Sequence, residues 1–249
     1  MPKPKPLILL LDPVHPHLRA RLAPHYRLTQ DPKRVSEAEG LVSLLSHTID
    51  QKFLARAPKL KVVANYAVGL NNIDQKECAR RGIQVCNTPG VLTRATAELT
   101  LALLLAAARR FPEGQALCRT GRFRGWAPDL LLGHELLGRH AVLLGRGRIG
   151  LETARLFRAL GMSVEFITRE DSTRSIAQKL KRAQVLSLHA PLTPQTQYWL
   201  SKERLALLPR DAIVLNTARG PLIDERALAD ALRKRRVFAA GLDVFEREP

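Results

Sequence analysis

Residues 141–160 read AVLLGRGRIGLETARLFRAL, and the order of features in this stretch decides the fold. An apolar strand runs into the turn Gly145-Arg146-Gly147-Arg148-Ile149-Gly150, and an amphipathic helical stretch follows at once. A G-x-G-x-x-G alone is a weak signal, because glycine-rich turns are common. Between a strand and a helix of one βαβ unit it predicts a dinucleotide site. Gly145 permits the tight turn, Gly147 lets the backbone approach a pyrophosphate, and Gly150 lets the helix pack on the strand. The amides of Arg148 and Ile149, at the positive end of the helix, then face the phosphates.

The same alternation extends in both directions. Downstream come SVEFIT, SIAQKLKRA, VLSLH, AIVLNT, ERALADALRKR and FAAGLDV; upstream come LILLL, LRARLAPH, GLVSLLS, IDQKFLARAP, LKVVANY, NIDQKECARRG and IQVCN. Short apolar runs that alternate with amphipathic stretches imply parallel sheets. Between the two series, Thr93 to Arg110 reads as one long helix, apolar around most of its circumference and so expected to be buried between domains or subunits. A Gly-, Trp- and Pro-rich linker, residues 120–139, follows it. The expected architecture is α/β: two doubly wound, Rossmann-like parallel-sheet domains joined by a long helix.

Composition narrows the function classes. With 249 residues, 45% of them hydrophobic, the chain can bury a substantial core. Its formal charge of +17 raises the question of a nucleic-acid partner. The basic residues are spread out, however, and the densest cluster, Arg233 to Arg236, closes a predicted helix, where cations suit the dipole. No nucleic-acid partner is expected. The longest apolar run, Leu99 to Ala108, falls below the ~18–20 residues that span a bilayer. The opening MPKPKP reads as a frayed arm, LILLL is too short for a signal-peptide core, and a cytoplasmic protein without a membrane partner is expected. Cys78, Cys86 and Cys118 lack the number and spacing of a disulfide framework or zinc site, and no metal is expected.

Cofactor preference turns on the second strand of the glycine-loop unit. NAD-selective sites place a carboxylate at its end, whereas here it ends at Thr168-Arg169. A hydroxyl beside a guanidinium admits a 2′-phosphate, so NADPH is expected over NADH, with Arg169 as an ordinary surface residue the bland alternative. Glu170 is the nearest acid and complicates the preference.

NYAVGLNNID, VCNTPGVLTRATAELTLALLLAAARR, LLGHELLGRHAVLLGRGRIG, LSLHAPLTPQTQYWL, LPRDAIVLNTARGPLIDERALADAL and AAGLDVFEREP occur in this order. Together they resemble the D-isomer-specific 2-hydroxyacid dehydrogenase family, most closely its glyoxylate/hydroxypyruvate reductase branch. The resemblance implies a flavodoxin-like substrate domain over residues 1–94 and a dinucleotide-binding domain over 95–249. It implies that the amides of Val68 and Gly69 receive the carboxylate of a small 2-oxo acid, with Leu45 and Ser46 lining the pocket. Arg219 would bind the same carboxylate and polarise the ketone, for which a planar, permanently charged fork is suited. Thr96, His189, Ala190, Pro191, Thr196, Thr217, Ala218 and Asp243 would lie along the cofactor. Trp126 resembles a tryptophan that enters a neighbouring subunit's site, although a plain packing role fits it equally; a homodimer is the family habit.

The alkoxide formed by hydride transfer needs a proton, and in the family a glutamate-partnered histidine gives it. Glu248 matches the glutamate. The histidines are His15, His17, His25, His47, His134, His140 and His189, and none follows Glu248. His189 matches a different position, near the nicotinamide. The resemblance therefore leads to the expectation of a truncated product or incomplete gene model, without the last strand of its dinucleotide domain. A second function class is a dinucleotide-sensing binding module, as in relatives that act as corepressors; the missing histidine and the charge of +17 favour it, and retention of Arg219 and Glu248 speaks against it.

Overall fold

In the computed structural model, which describes residues 4–248, the chain divides into two units, Met1–Val91 and Leu92–Pro249. The first holds strands β1 (Leu7–Leu10), β2 (Arg27–Thr29), β3 (Gly40–Ser43), β4 (Val62–Asn65) and β5 (Gln84–Cys86), with helices α1 (Pro16–Leu22), α2 (Gln51–Ala55) and α3 (Gln75–Arg80). Its strands form one parallel sheet in the order β2-β1-β3-β4-β5. Leu9, Leu41 and Val63 project from adjacent strands into a core closed by Leu54 of α2 and Cys78 of α3.

The second unit begins with α4 (Thr93–Ala108) and α5 (Phe111–Arg119). It continues as β6 (His140–Leu144), α6 (Arg148–Ala159), β7 (Ser163–Ile167), α7 (Thr173–Arg182) and β8 (Val185–Leu188), then α8 (Lys202–Leu205), β9 (Ile213–Asn216), α9 (Glu225–Arg233) and β10 (Ala239–Leu242). All five strands are parallel, in the order β10-β9-β8-β6-β7. Counted from its own first strand, this is the winding of the first sheet over again.

Both faces of the second sheet are covered, which is why β8 and β9 are buried along their whole length. On one face Leu104 of α4 and Phe157 of α6 pack over Leu143, Val185 and Ile213; on the other, Leu180 and Leu228 of α7 and α9 pack over Val142, Leu186 and Val214. Full burial of a side chain such as Phe157 contributes about 1.5–3 kcal/mol, enough to seat α6 and so fix the loop before it.

The long helix expected over residues 93–110 is α4, which ends at Ala108, and a second helix, α5, follows it. Arg110 adopts a left-handed φ of 54°, and Pro112 starts α5 in its first turn, where its missing amide costs nothing. α4 packs on α6, β9 and β10, as a layer of the second unit, and buries only the face of Ala97, Thr100, Leu104 and Ala108. Leu99 and Leu105 on its other side are exposed, as are Phe111, Phe123 and Trp126 after it.

Candidate active site

The glycine loop has the geometry its spacing demands. Gly145 takes φ 97°, and a Cβ there would lie 2.9 Å from the carbonyl oxygen of His189. A Cβ on Gly150 would overlap the carbonyl of Gly145, so the third glycine lets α6 close on β6. Around Gly147 there is open space instead. Gly147 is the N-cap of α6 and offers no side chain to its first amides, whereas Asp50, Asp74, Ser172 and Asp224 cap α2, α3, α7 and α9. The amides of Arg148 and Ile149 thus begin a helix whose donors are left for a ligand. His189 packs under this loop: its amide bonds the Leu144 carbonyl at 2.8 Å, and its Nε2 lies 2.8 Å from the Ser187 hydroxyl. Burial pushes the imidazole down to about 4, so it is neutral near pH 7 and unfit to hold the proton of a general acid there.

At the end of β7 the acid that matters is Asp171, one residue past the Glu170 that spacing points to. One Asp171 oxygen accepts the Thr168 amide at 2.9 Å. The other accepts the Ser175 hydroxyl at 2.7 Å and the Lys179 ammonium at 2.5 Å. These partners hold its carboxyl down to about 2. Thr168 lies in the resulting tight turn and Arg169 is exposed beside it.

Arg219 follows β9, and Asn216, the last residue of that strand, shapes the loop. Asn216 Nδ2 donates to the Arg219 carbonyl at 2.9 Å, and its Oδ1 accepts the Ala218 amide at 3.0 Å. Arg219 Nη1 donates to the Ala218 carbonyl at 2.6 Å. Burial lowers the guanidinium pKa while the negative charge of Glu248 raises it, so the structure brings these two candidates into electrostatic contact. Gly220 is the reason they can meet. A Cβ there would collide with the Phe245 carbonyl and the Glu246 nitrogen, so the backbone after β10 rests directly on it. That segment is pinned further by Tyr198 Oη donating to the Glu246 carboxylate at 2.6 Å and the Glu246 amide donating to Glu225 at 2.5 Å, and it is shaped within itself by the Phe245 amide donating to Glu248 at 3.1 Å. A cavity of about 380 Å³ beside it is lined by Tyr198, Asp224, Glu225, Arg226, Glu246 and Arg247, a mixed set of three acids and two arginines.

The remaining positions divide by what holds them. Thr217 is buried, with its hydroxyl 2.8 Å from that of Thr100, which also donates to the Thr96 carbonyl at 2.8 Å. This ties α4 to the end of β9. Thr196 folds the loop after β8 by donating to the Pro191 carbonyl at 2.7 Å and accepting the Thr193 amide at 2.8 Å. Ala190 is buried beside it, and exposed Asp243 is anchored by its amide to Asn216.

In the first unit, Ser43, Asn65 and Asn72 form a buried polar network between the loops that carry the other candidates. Asn72 Nδ2 donates to the carbonyls of Leu44 and His47, both at 3.0 Å, which shapes the turn bearing exposed Leu45 and Ser46. Asn65 and Asn87 donate to the carbonyls of Gly69 and Val68, both at 2.7 Å, which fixes the peptide planes there. His47 Nε2 also lies 2.9 Å from Asp12, past the end of β1. Among the described residues no group of three or more histidines, cysteines or acids could hold a metal, and no helix is long and apolar enough to cross a membrane.

Residues 101–249 match the family model for the D-isomer specific 2-hydroxyacid dehydrogenase, NAD binding domain. A glyoxylate reductase of Korarchaeum cryptofilum is 43% identical over 87% of this chain and 69% of its own length, and one of Thermococcus litoralis is 42% identical over 87% and 70%. Among solved structures, a protein of Thermus thermophilus superposes with a TM-score of 0.89 at 43% identity, covering 98% of this chain and 83% of that one. The NADPH-dependent glyoxylate/hydroxypyruvate reductase of Sinorhizobium meliloti, in complex with NADP and malonate, superposes with a TM-score of 0.88 at 30% identity, covering 99% and 81%. By sequence and by fold, the chain belongs to the D-isomer-specific 2-hydroxyacid dehydrogenase family of enzymes.

Proposed function

We propose that the protein reduces a small 2-oxo acid, glyoxylate or hydroxypyruvate, to the D-2-hydroxy acid, with NADPH preferred over NADH. The observation that carries this reading is Arg219, held by Asn216 at the carboxyl end of β9 within the field of Glu248. A guanidinium there binds a carboxylate bidentately and draws electron density from the neighbouring carbonyl. The amides of Val68 and Gly69 take the substrate carboxylate, and Leu45 and Ser46 border it. Glu248 takes the place of the glutamate that, in the family, partners the proton-giving histidine.

The residues present fit a dinucleotide. Gly145 and Gly150 permit the close turn, Gly147 opens onto space, and the amides of Arg148 and Ile149 would hold the pyrophosphate. Thr96, Thr168, Arg169, His189, Ala190, Pro191, Thr196, Thr217, Ala218 and Asp243 would line the remainder. When bound, the reduced nicotinamide supplies the hydride. The preference for NADPH is supported by the occupied state of Asp171, which leaves Arg169 at the β7 end. A homodimer is supported by the apolar side of α4 and by Trp126, 84% exposed where a packing role would bury it. A reducing compartment such as the cytoplasm accords with three free cysteines.

The test is glyoxylate-dependent oxidation of NADPH by the protein, beside Arg219→Lys. We expect turnover and a loss of about 10²-fold or more in kcat/KM for the variant, since lysine lacks the fork. NADPH binding without turnover of any small 2-oxo acid would overturn the reductase reading in favour of a binding module.

A further inference from the structure

β6 and β7 are hydrogen-bonded neighbours whose last paired residues are Leu144 and Ile167. Two residues beyond that rung, each strand is followed by an exposed arginine: Arg146 in the glycine loop and Arg169 after β7. Arg146 does not simply trail into solvent. Its guanidinium carbon lies 5.8 Å from the centroid of the Phe166 ring, and Phe166 belongs to β7. The contact draws the Arg146 charge across the loop to the β7 side, and a guanidinium held against a ring face keeps its edge donors free for an anion.

In the turn after β7 the acids are Glu170, which is exposed, and Asp171, which has both oxygens engaged by the Thr168 amide, Ser175 and Lys179. Asp171 is therefore committed elsewhere and does not neutralise the two arginines. In open sheets that carry this glycine loop, the adenosine ribose lies at the end of the second strand, here β7. Arg148 differs in placement: it is the first residue of α6 and stands with the pyrophosphate amides.

We propose that Arg146 sets the cofactor preference by binding, together with Arg169, the 2′-phosphate of NADPH. This rests on the NADPH reading above and adds the residue that enforces it. A phosphomonoester dianion between two forks gains charge-assisted hydrogen bonds that a ribose hydroxyl cannot.

The experiment is calorimetric titration of the chain with NADPH, NADH, 2′,5′-ADP and 5′-ADP, for the unaltered protein and for Arg146→Leu, Arg169→Gln and Arg148→Gln. Leucine keeps an apolar cover on Phe166 while removing the charge, and melting curves should coincide because Arg146 is exposed. We expect Arg146→Leu to weaken NADPH and 2′,5′-ADP about tenfold, about 1.4 kcal/mol. NADH should change by less than about twofold, and Arg148→Gln, which keeps the amide but removes a positive charge beside the pyrophosphate, should weaken both dinucleotides alike. Equal losses for NADPH and NADH in Arg146→Leu would overturn the inference, as would no loss at all while Arg169→Gln alone loses NADPH. If the unaltered chain binds NADH as tightly as NADPH, the preference itself falls and the inference with it.

Discussion

Gly220→Ala is the sharpest test of how Arg219 and Glu248 are brought together. The added methyl would overlap the Phe245 carbonyl and the Glu246 amide nitrogen, both backbone atoms that cannot swing aside as the tip of a side chain can. Two responses are open, and they cost similar amounts. If the segment stays, overpacking costs about 1–3 kcal/mol. If it lifts, the bonds it makes to Tyr198 and Glu225 break, at a net of about 0.5–1.5 kcal/mol each, or about 1–3 kcal/mol together. A stability loss of about 1–3 kcal/mol in urea is therefore expected, and hydrogen exchange separates the routes. Lifting exposes the amides of Phe245 and Glu246, and it also removes the Glu248 charge that raises the Arg219 pKa. An unchanged urea midpoint with both amides still protected would refute the claim that the segment rests on Gly220.

Two further outcomes follow from charges held by the fold. Because the folded Asp171 carboxyl titrates at about 2 against an ordinary 3.8, the unfolded chain protonates first, and about 2 kcal/mol of stability present above pH 4 drains away as the pH falls towards 2. Asp171→Asn should lower stability at neutral pH by about that much and flatten this part of the acid limb; an unaltered limb counts against the lock. His189, depressed by burial to about 4 from 6.5, contributes fully above pH 6.5 and loses that contribution as the pH drops through 4. Its ring resonances should show a neutral imidazole down to about pH 5, and a ring titrating near 7 would reopen it as a proton donor.

The parallel sheets and the glycine loop were legible because each depends on local spacing: alternating apolar runs for the strands, and three glycines whose roles are set within six residues. Less legible were contacts that join distant segments. Ser43, Asn65 and Asn72 are ordinary polar residues until three loops are folded onto one another. Gly220 sits beside an obvious arginine, but its partner backbone lies 25 positions further on. Asp171 was hidden by a lysine one helix face away, which settles whether a carboxylate meets a ribose or a salt bridge. The end of the long helix was legible, whereas α5 was not, because it lies in a stretch whose only local signal is Pro112 in its first turn.

The repeated winding also bears on how the chain is made. All strands of the first sheet lie between Leu7 and Cys86, so the ribosome delivers a full set of pairing partners before any of the second sheet emerges. Parallel pairing is slow, because each partner waits for a crossover to be threaded between them. A sheet contiguous in sequence can make use of that waiting time during synthesis, domain by domain. The cofactor loop is then assembled on nascent chain whose leading unit has already paired its inner strands and leaves only the short β2 and β5 as edges.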